Sequence, residues 1–231
     1  MTSEAVALDV RVEKAEFQGR KQTILEFADR ASPVAGFIVI DSLALGPATG
    51  GCRLARYADK QAALLDAQRL ARGMSQKNAM AELPLGGGKS VLIMPESGFD
   101  RERAFRLFGH ALNQLGGNYL AAEDVGTCVS DMKTIRSVSP HVFGLPRSKG
   151  RAGGNPSPLT ADGVFLCIRE LLAHRGIPLR EAHVAVQGLG SVGMALSKML
   201  LESGARLTVA DINRVAVDTL AANSMVDIVG T

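Results

Sequence analysis

Apolar residues along this chain recur at two spacings, and the alternation between them predicts an α/β protein. Residues 22–28 (QTILEFA) and 34–40 (VAGFIVI) are short apolar, β-branched runs of the kind strands use. Residues 60–73 read as a helix, with Leu64, Leu65, Ala67, Leu70, Ala71 and the adjoining Met74 as a stripe at helical spacing and Asp59 placed to cap it. A strand is predicted over residues 90–94, entered from the glycine run 86–88. Asp100 caps the next amphipathic helix, in which Ala104, Phe105, Phe108, Ala111, Leu112 and Leu115 form the buried face and Gly116-Gly117 the stop. Residues 118–122 read as a strand and 131–138 as a short helix. The tract 144–158 (GLPRSKGRAGGNPSP) breaks the pattern and predicts a domain junction. Beyond it the chain reads helix 160–174, strand 183–187, helix 191–203, strand 206–210 and helix 213–222, the order of a parallel sheet.

Composition narrows the class. The 231 residues are 46% hydrophobic and 21% charged, which suits a folded globular chain rather than a disordered one. Net charge is +3, from 26 basic and 23 acidic residues; residues 1–150 hold 19 against 16 and the remainder 7 against 7. No dense basic block is present, so a nucleic-acid partner is not expected. No apolar run is long enough to span a bilayer, and charges interrupt the N-terminal segment, so a soluble, cytoplasmic protein without a membrane partner is expected. Cys52, Cys128 and Cys167 lack metal-ligand spacing, as do His110, His141, His174 and His183, so no metal site is predicted. The 25 glycines are the outlier, and they are clustered.

One cluster, Gly188, Leu189, Gly190, Ser191, Val192 and Gly193, has the G-x-G-x-x-G pattern of a dinucleotide loop. It follows a predicted strand, opens a predicted helix, and is followed by a second strand leading to Asp211. Gly188 permits the tight turn, Gly190 lets backbone approach a pyrophosphate, and Gly193 permits close helix packing. The helix N-terminus offers unpaired N–H groups to phosphate. Asp211 would accept bonds from ribose hydroxyls and repel a 2′-phosphate, which points to NAD. A glycine-rich turn without a ligand is the competing reading.

Three further clusters precede the junction: GPATGGCR (46–53), GMSQKNAMAELPLGGGKS (73–90) and AAEDVGT (121–127). The run GGGKS resembles a phosphate loop, but that pattern needs glycine where Leu83 stands and a helix where a strand is predicted. Lys77 and Lys89 lie among small residues. A lysine held in such a pocket near a second cation has its pKa lowered and can serve as a base; two solvated surface lysines fit the spacing equally well. Asp124 either engages an ammonium group or caps the following turn.

These blocks, with GNPSPLTADGV and VAVQGLGSVG followed by ADIN, resemble the glutamate/leucine/phenylalanine/valine dehydrogenase family, most of all its short leucine and phenylalanine branch. The resemblance runs from about residue 34 to residue 213. It implies an N-terminal α/β substrate and oligomerisation domain (residues 1–150) followed by a partial Rossmann dinucleotide-binding domain (151–231). It further implies that Lys77 fixes a substrate α-carboxylate beside Gly50 and Gly51, that Lys89 is the catalytic lysine, and that Asp124 engages the amino group. Thr160 falls in a cofactor-side motif. The implied reaction is reversible oxidative deamination of an L-amino acid to a 2-oxo acid and ammonia with NAD, by a homo-oligomer assembled through first-domain strands. Thr49 and Ala122 stand at positions implied to line the side-chain pocket; Ala122 fits the aliphatic branch, whereas Thr49 replaces the usual leucine. Cys52 and Cys128 adjoin these segments, so one of them is expected near the substrate. Family members continue beyond the point where this chain stops, so the third strand of the nucleotide sheet is expected to be missing, and with it an asparagine near the nicotinamide. That leaves a second reading, a non-catalytic nucleotide- or amino-acid-binding protein on the same scaffold.

Overall fold

The computed structural model describes residues 7–149, 153–222 and 225–230. The domain boundary expected between residues 150 and 151 lies outside the described residues. The chain divides into two compact units, Met1–Gly154 and Asn155–Thr231.

In the first unit six strands form one sheet: β1 (Leu8–Phe17), β2 (Arg20–Asp29), β3 (Ala35–Ser42), β4 (Ala48–Ala55), β5 (Gly86–Ile93) and β6 (Tyr119–Glu123), in the order β1-β2-β3-β5-β4-β6. β1, β2, β3 and β5 pair antiparallel in succession, whereas β4 pairs parallel with both β5 and β6. Helix α1 (Lys60–Met80) covers one face, where Ala63, Ala67 and Ala71 pack on Ile24, Phe37, Val39 and Val91. Helices α2 (Arg101–Asn113) and α3 (Val129–Arg136) cover the other, on Leu25, Phe27, Ile38, Leu54 and Leu92. With both faces covered, β3 has no polar side to show over residues 35–40, which is why that stretch reads as an unbroken apolar run. A buried ion pair, Arg103 to Asp29 at 2.6 Å, ties α2 to the end of β2.

Several elements differ from the sequence reading. β1 was not expected; charged residues alternate along an edge strand whose positions are mostly exposed, so no apolar run marks it. β4 was not expected either, because it is built from glycine and small residues. The glycine run does not lead into β5 but forms its first half. α1 continues past Gly73 to Met80, where polar residues replace the apolar stripe as its packing face: Ser75 Oγ donates to Asp41 at 2.6 Å and Asn78 Nδ2 to the Gly86 carbonyl at 2.6 Å. Leu65, assigned to the stripe, is 44% exposed, and alanines do the packing in its place. The caps at Asp59 and Asp100 form as expected, each accepting from a backbone N–H of its helix.

The second unit has a parallel sheet of β7 (His183–Gln187), β8 (Arg206–Ala210) and β9 (Val226–Ile228), ordered β7-β8-β9. Helices α4 (Ser157–His174), α5 (Ser191–Glu202) and α6 (Arg214–Ala221) alternate with the strands. The third strand, expected to be missing, is present as β9 and pairs with β8 through Leu207, Thr208 and Val209. A Rossmann-type unit therefore follows a mixed α/β unit.

The α1–β5 contact generates a paired prediction. A Cβ at Gly87 would stand 2.1 Å from the Ser75 backbone nitrogen, whereas one at Gly73, in the middle of α1, meets nothing within 4 Å. Gly87→Ala should cost about 1–3 kcal/mol of unfolding free energy through forced separation of helix and strand. Gly73→Ala should gain about 1 kcal/mol from helix propensity. Urea unfolding of the two variants checks the opposite signs, and equal midpoints would contradict this account of the packing.

Candidate active site

Register fixes which side chains share a face. Lys89 is flanked two residues away by Gly87 and Val91, and Val91 packs in the α1 cluster, so Lys89 leaves the sheet on the α1 side. Thr49, Gly51 and Arg53 leave β4 on that same side, and Ala122 pairs with Gly51 across β6. α1 lies over β3 and β5 and only grazes β4, so the small residues of β4 and β6 form a half-covered floor beside Lys89.

Lys89 is 5% exposed, and its Nζ stands 2.5 Å from Asp124 Oδ2. Burial lowers the Lys89 pKa from the ordinary lysine range; the hydrogen bond and charge of Asp124 oppose that shift in part. Burial also works against an ionised Asp124, but the hydrogen bond and charge of Lys89, helped by Arg53, prevail and hold its carboxyl below the ordinary range. Asp124 sits just past β6 in a turn fixed by Thr127, whose Oγ1 accepts the Asp124 N–H at 2.8 Å and donates toward the Cys52 and Asp124 carbonyls at 3.0 and 2.9 Å. Gly51 is required by this geometry, since a Cβ there would lie 2.5 Å from the Asp124 Cβ. Gly50 is required by the sheet, since its Cβ would meet the Gly88 carbonyl oxygen at 1.9 Å. Behind them Tyr119, fully buried, donates to the Gly50 carbonyl at 3.0 Å and lies 3.1 Å from Ser90 Oγ.

The other expected residues fall as follows. Lys77 is exposed on the last turn of α1, a turn that Asn78 ties to Gly86 in β5. Thr49 is 8% exposed and its hydroxyl donates to the Leu120 carbonyl at 3.0 Å, so its hydrogen is already used within the sheet. Cys52 does not reach the site. Strand periodicity puts it in the core on the opposite face, where burial pushes its thiol up to about 12. Cys128 is exposed at the start of α3, with Sγ 3.2 Å from Asp131 Oδ2. Three residues of the site escaped the sequence reading: Arg53, Tyr57 and Asp66. Arg53 Nε stands 3.2 Å from Asp124 Oδ2 and its Nη1 2.9 Å from Asp66 Oδ2, while Tyr57 donates to Asp66 at 2.7 Å. Reading β4 as a strand would have found Arg53, two residues from Gly51 and so on its face.

In the second unit Gly188 adopts φ +93°, and a Cβ at Gly193 would meet the Gly188 carbonyl oxygen at 1.9 Å, so α5 starts in direct contact with the turn. Gly190 is the N-cap of α5 without a side-chain cap, and the space where its Cβ would stand is open. The N–H groups around Leu189, Ser191 and Val192 thus border an open approach of the kind a pyrophosphate needs. Asp211 follows β8 and accepts from the Asn213 N–H at 2.6 Å and the Leu189 N–H at 2.5 Å, which hold its carboxyl below the ordinary range. The acid therefore closes the glycine turn as well as facing outward. Thr160, in the first turn of α4, donates to the Pro156 carbonyl at 3.1 Å. Among the described residues no group of three or more His, Cys, Asp or Glu could hold a metal ion, and no helix is long and apolar enough to cross a membrane.

Comparison with known proteins adds three kinds of match. Residues 22–140 match the family described as "Glu/Leu/Phe/Val dehydrogenase, dimerisation domain" and residues 155–219 the one described as "Glutamate/Leucine/Phenylalanine/Valine dehydrogenase". A leucine dehydrogenase of Bacillus subtilis is 44% identical over 191 residues, covering 82% of this chain and 52% of that protein. A valine dehydrogenase of Streptomyces virginiae is 41% identical over 203 residues, covering 87% and 56%. The crystal structure of L-tryptophan dehydrogenase from Nostoc punctiforme superposes with a TM-score of 0.62 at 32% identity, covering 90% of this chain and 58% of that one. The chain thus spans about half the length of the curated relatives it matches.

The Asp124 geometry predicts a pH effect. Its folded pKa lies below 3.8, so its stabilisation is complete above the unfolded value and is lost as pH falls through the lower, folded one. Asp124→Asn should therefore lose less stability than the unaltered protein between pH 5 and pH 2, measured by urea unfolding. Parallel pH profiles for the two would refute the assignment.

Proposed function

The chain belongs to the glutamate/leucine/phenylalanine/valine dehydrogenase family, and from that premise we propose that it carries out NAD-dependent, reversible oxidative deamination of an apolar L-amino acid, of the leucine, valine or phenylalanine kind, to a 2-oxo acid and ammonia. The observation that carries this reading is Lys89, buried and depressed in pKa, against Asp124 on a floor of Gly51 and Ala122. A protein that only bound its ligand would have no use for a base held in this state.

The roles follow from the chemistry of each group. Lys77, with the backbone at Gly50 and Gly51, binds the substrate carboxylate as a charge-assisted contact. Asp124 takes the substrate amino group, and Thr49 and Ala122 border the substrate side chain. Gly188, Leu189, Gly190, Ser191, Val192 and Gly193 hold the pyrophosphate of NAD, Asp211 the ribose hydroxyls, and Thr160 lies on the cofactor side. The open space at Gly190 and the uncapped start of α5 fit such a group. When bound, the nicotinamide would supply the acceptor for hydride from the α-carbon of a substrate held as its neutral amine, which would leave an iminium carbon. Neutral Lys89 then takes a proton from water as the water oxygen bonds to that carbon. The resulting Lys89 ammonium returns that proton to the carbinolamine nitrogen and, neutral again, takes the hydroxyl proton as the C=O bond forms, the C–N bond breaks and ammonia leaves. Asp124 steadies the ammonium between the two transfers.

We also propose a homo-oligomer joined through the first unit. β1 is a ten-residue strand at the end of the sheet order, and its outer edge can receive the same strand of a second copy. Three free cysteines accord with a reducing, cytoplasmic setting.

Two measurements test the reading. Lys89→Ala should lower kcat by about 10²–10⁴-fold, while Lys77→Ala should fall mainly on KM; near-normal kcat in Lys89→Ala would remove the proposed base. NAD should be used in preference to NADP, with the preference narrowed in Asp211→Ser. Equal kcat/KM for both cofactors in the unaltered protein would end the role given to Asp211.

A further inference from the structure

Two cations converge on one carboxylate oxygen in the first unit. Lys89 Nζ and Arg53 Nε stand 2.5 and 3.2 Å from Asp124 Oδ2, so the two nitrogens are less than about 6 Å apart, close enough for one charge to alter the other. Arg53 is not a loose surface arginine. Its Nη1 is held 2.9 Å from Asp66 Oδ2 on α1, and Tyr57 fixes that same oxygen at 2.7 Å. The guanidinium is thus strung between a carboxylate on α1 and the carboxylate beside Lys89, only 23% of its side chain exposed. An ammonium in its place has a single nitrogen and no planar fork with which to serve two carboxylates at once.

We infer that Arg53 is a positioning residue for the Lys89–Asp124 pair: it locks the Asp124 carboxylate in line with Lys89, and its permanent positive charge disfavours a second cation there, keeping Lys89 ready to accept a proton. The inference rests on the proposed role of Lys89 as the base. A guanidinium does not deprotonate in a protein, so its field is constant while Lys89 cycles. The groups facing Lys89 are few. β4 presents Arg53, its buried Cys52 lying on the opposite face of the sheet, the turn after β6 presents Asp124, β3 presents the apolar Val39 in register, and α1 presents Asp66 only through Arg53. Burial is the main cause of the lowered Lys89 pKa; Asp124 works against it, and the Arg53 charge adds to it. Arg53 acts without touching the substrate: it sets the state of the residue that does.

The test uses the full chain with lysine labelled by carbon-13 at Cε, the Lys89 resonance being assigned by its absence in Lys89→Arg. In the unaltered protein this resonance should titrate below the other lysines. Arg53→Met should raise the midpoint by about one pH unit, a roughly tenfold fall in the amine-to-ammonium ratio at fixed pH. Arg53→Lys, which restores the charge but not the fork, should return most of that shift. Should Arg53→Met lose the circular dichroism of the unaltered protein, Arg53→Gln, uncharged but able to hydrogen-bond one carboxylate, carries the same comparison. An unmoved midpoint in a folded Arg53 variant overturns the inference. On the kinetic side, the rise of kcat/KM with pH should move upward by the same interval in Arg53→Met. A moved midpoint with an unmoved rate profile would leave the action of Arg53 on Lys89 standing and sink the reading of Lys89 as base. Loss of activity in Lys89→Ala without a midpoint shift in the Arg53 variants would sink the Arg53 inference alone.

Discussion

A lysine ammonium enclosed by a sheet and a helix has to be met by opposite charge or give up its proton, and the arrangement of the first unit answers that demand. β5 carries Lys89 where its neighbours on the same face are Gly87 and Val91, so the strand offers it no polar company. The partner comes from the far side of β4, in the turn after β6, and reaches Lys89 only because Gly51 leaves room for the Asp124 side chain. Thr127 fixes that turn, Arg53 braces the carboxylate from β4, and Asp66 and Tyr57 brace Arg53 from α1 and the segment before it. The result is a chain of alternating charges whose members come from two strands, a turn and a helix.

The glycines follow from the same crowding. Gly50 and Gly88 let adjacent backbones and the Tyr119 ring approach without a Cβ between them, and Gly87 does so for α1. A sheet built this way gains close backbone packing beside Lys89 and gives up β propensity to obtain it. The polar contacts of Ser75 and Asn78 compensate at the end of α1, replacing apolar burial with hydrogen bonds that set the helix at one height above β5. Lys77, on the outer side of that turn, takes its position from them.

The second unit solves a different problem with similar means. Gly193 allows α5 to touch the turn it follows, and the Asp211 carboxylate accepts the Leu189 N–H, so one acid both shapes the loop and presents charge at its mouth. Changing Asp211 therefore bears on the geometry of the loop as well as on the charge at its mouth. It is also a contact between residues 22 positions apart, which the sequence reading did not anticipate.

The sequence by itself determined the α/β class, the caps at Asp59 and Asp100, nearly every element of the second unit, and the clusters in which the chemistry is concentrated. These are local properties: a helix stripe, a capping side chain and a glycine turn are each written within a few residues. For Lys77, Lys89 and Asp124 the residues alone left open alternatives, and family resemblance rather than spacing chose among them. Only the tertiary structure decided that Lys89 and Asp124 are partners, that Arg53, Asp66 and Tyr57 complete the set, and that Cys52 faces the other way. It also decided that α1 runs to Met80 and that β1, β4 and β9 are strands. The reason is common to all of these. Charged edge residues, paired glycines and a polar helix face carry no apolar period, and what gives them structure is a partner brought in from elsewhere in the chain, through sheet register and burial that no local pattern encodes.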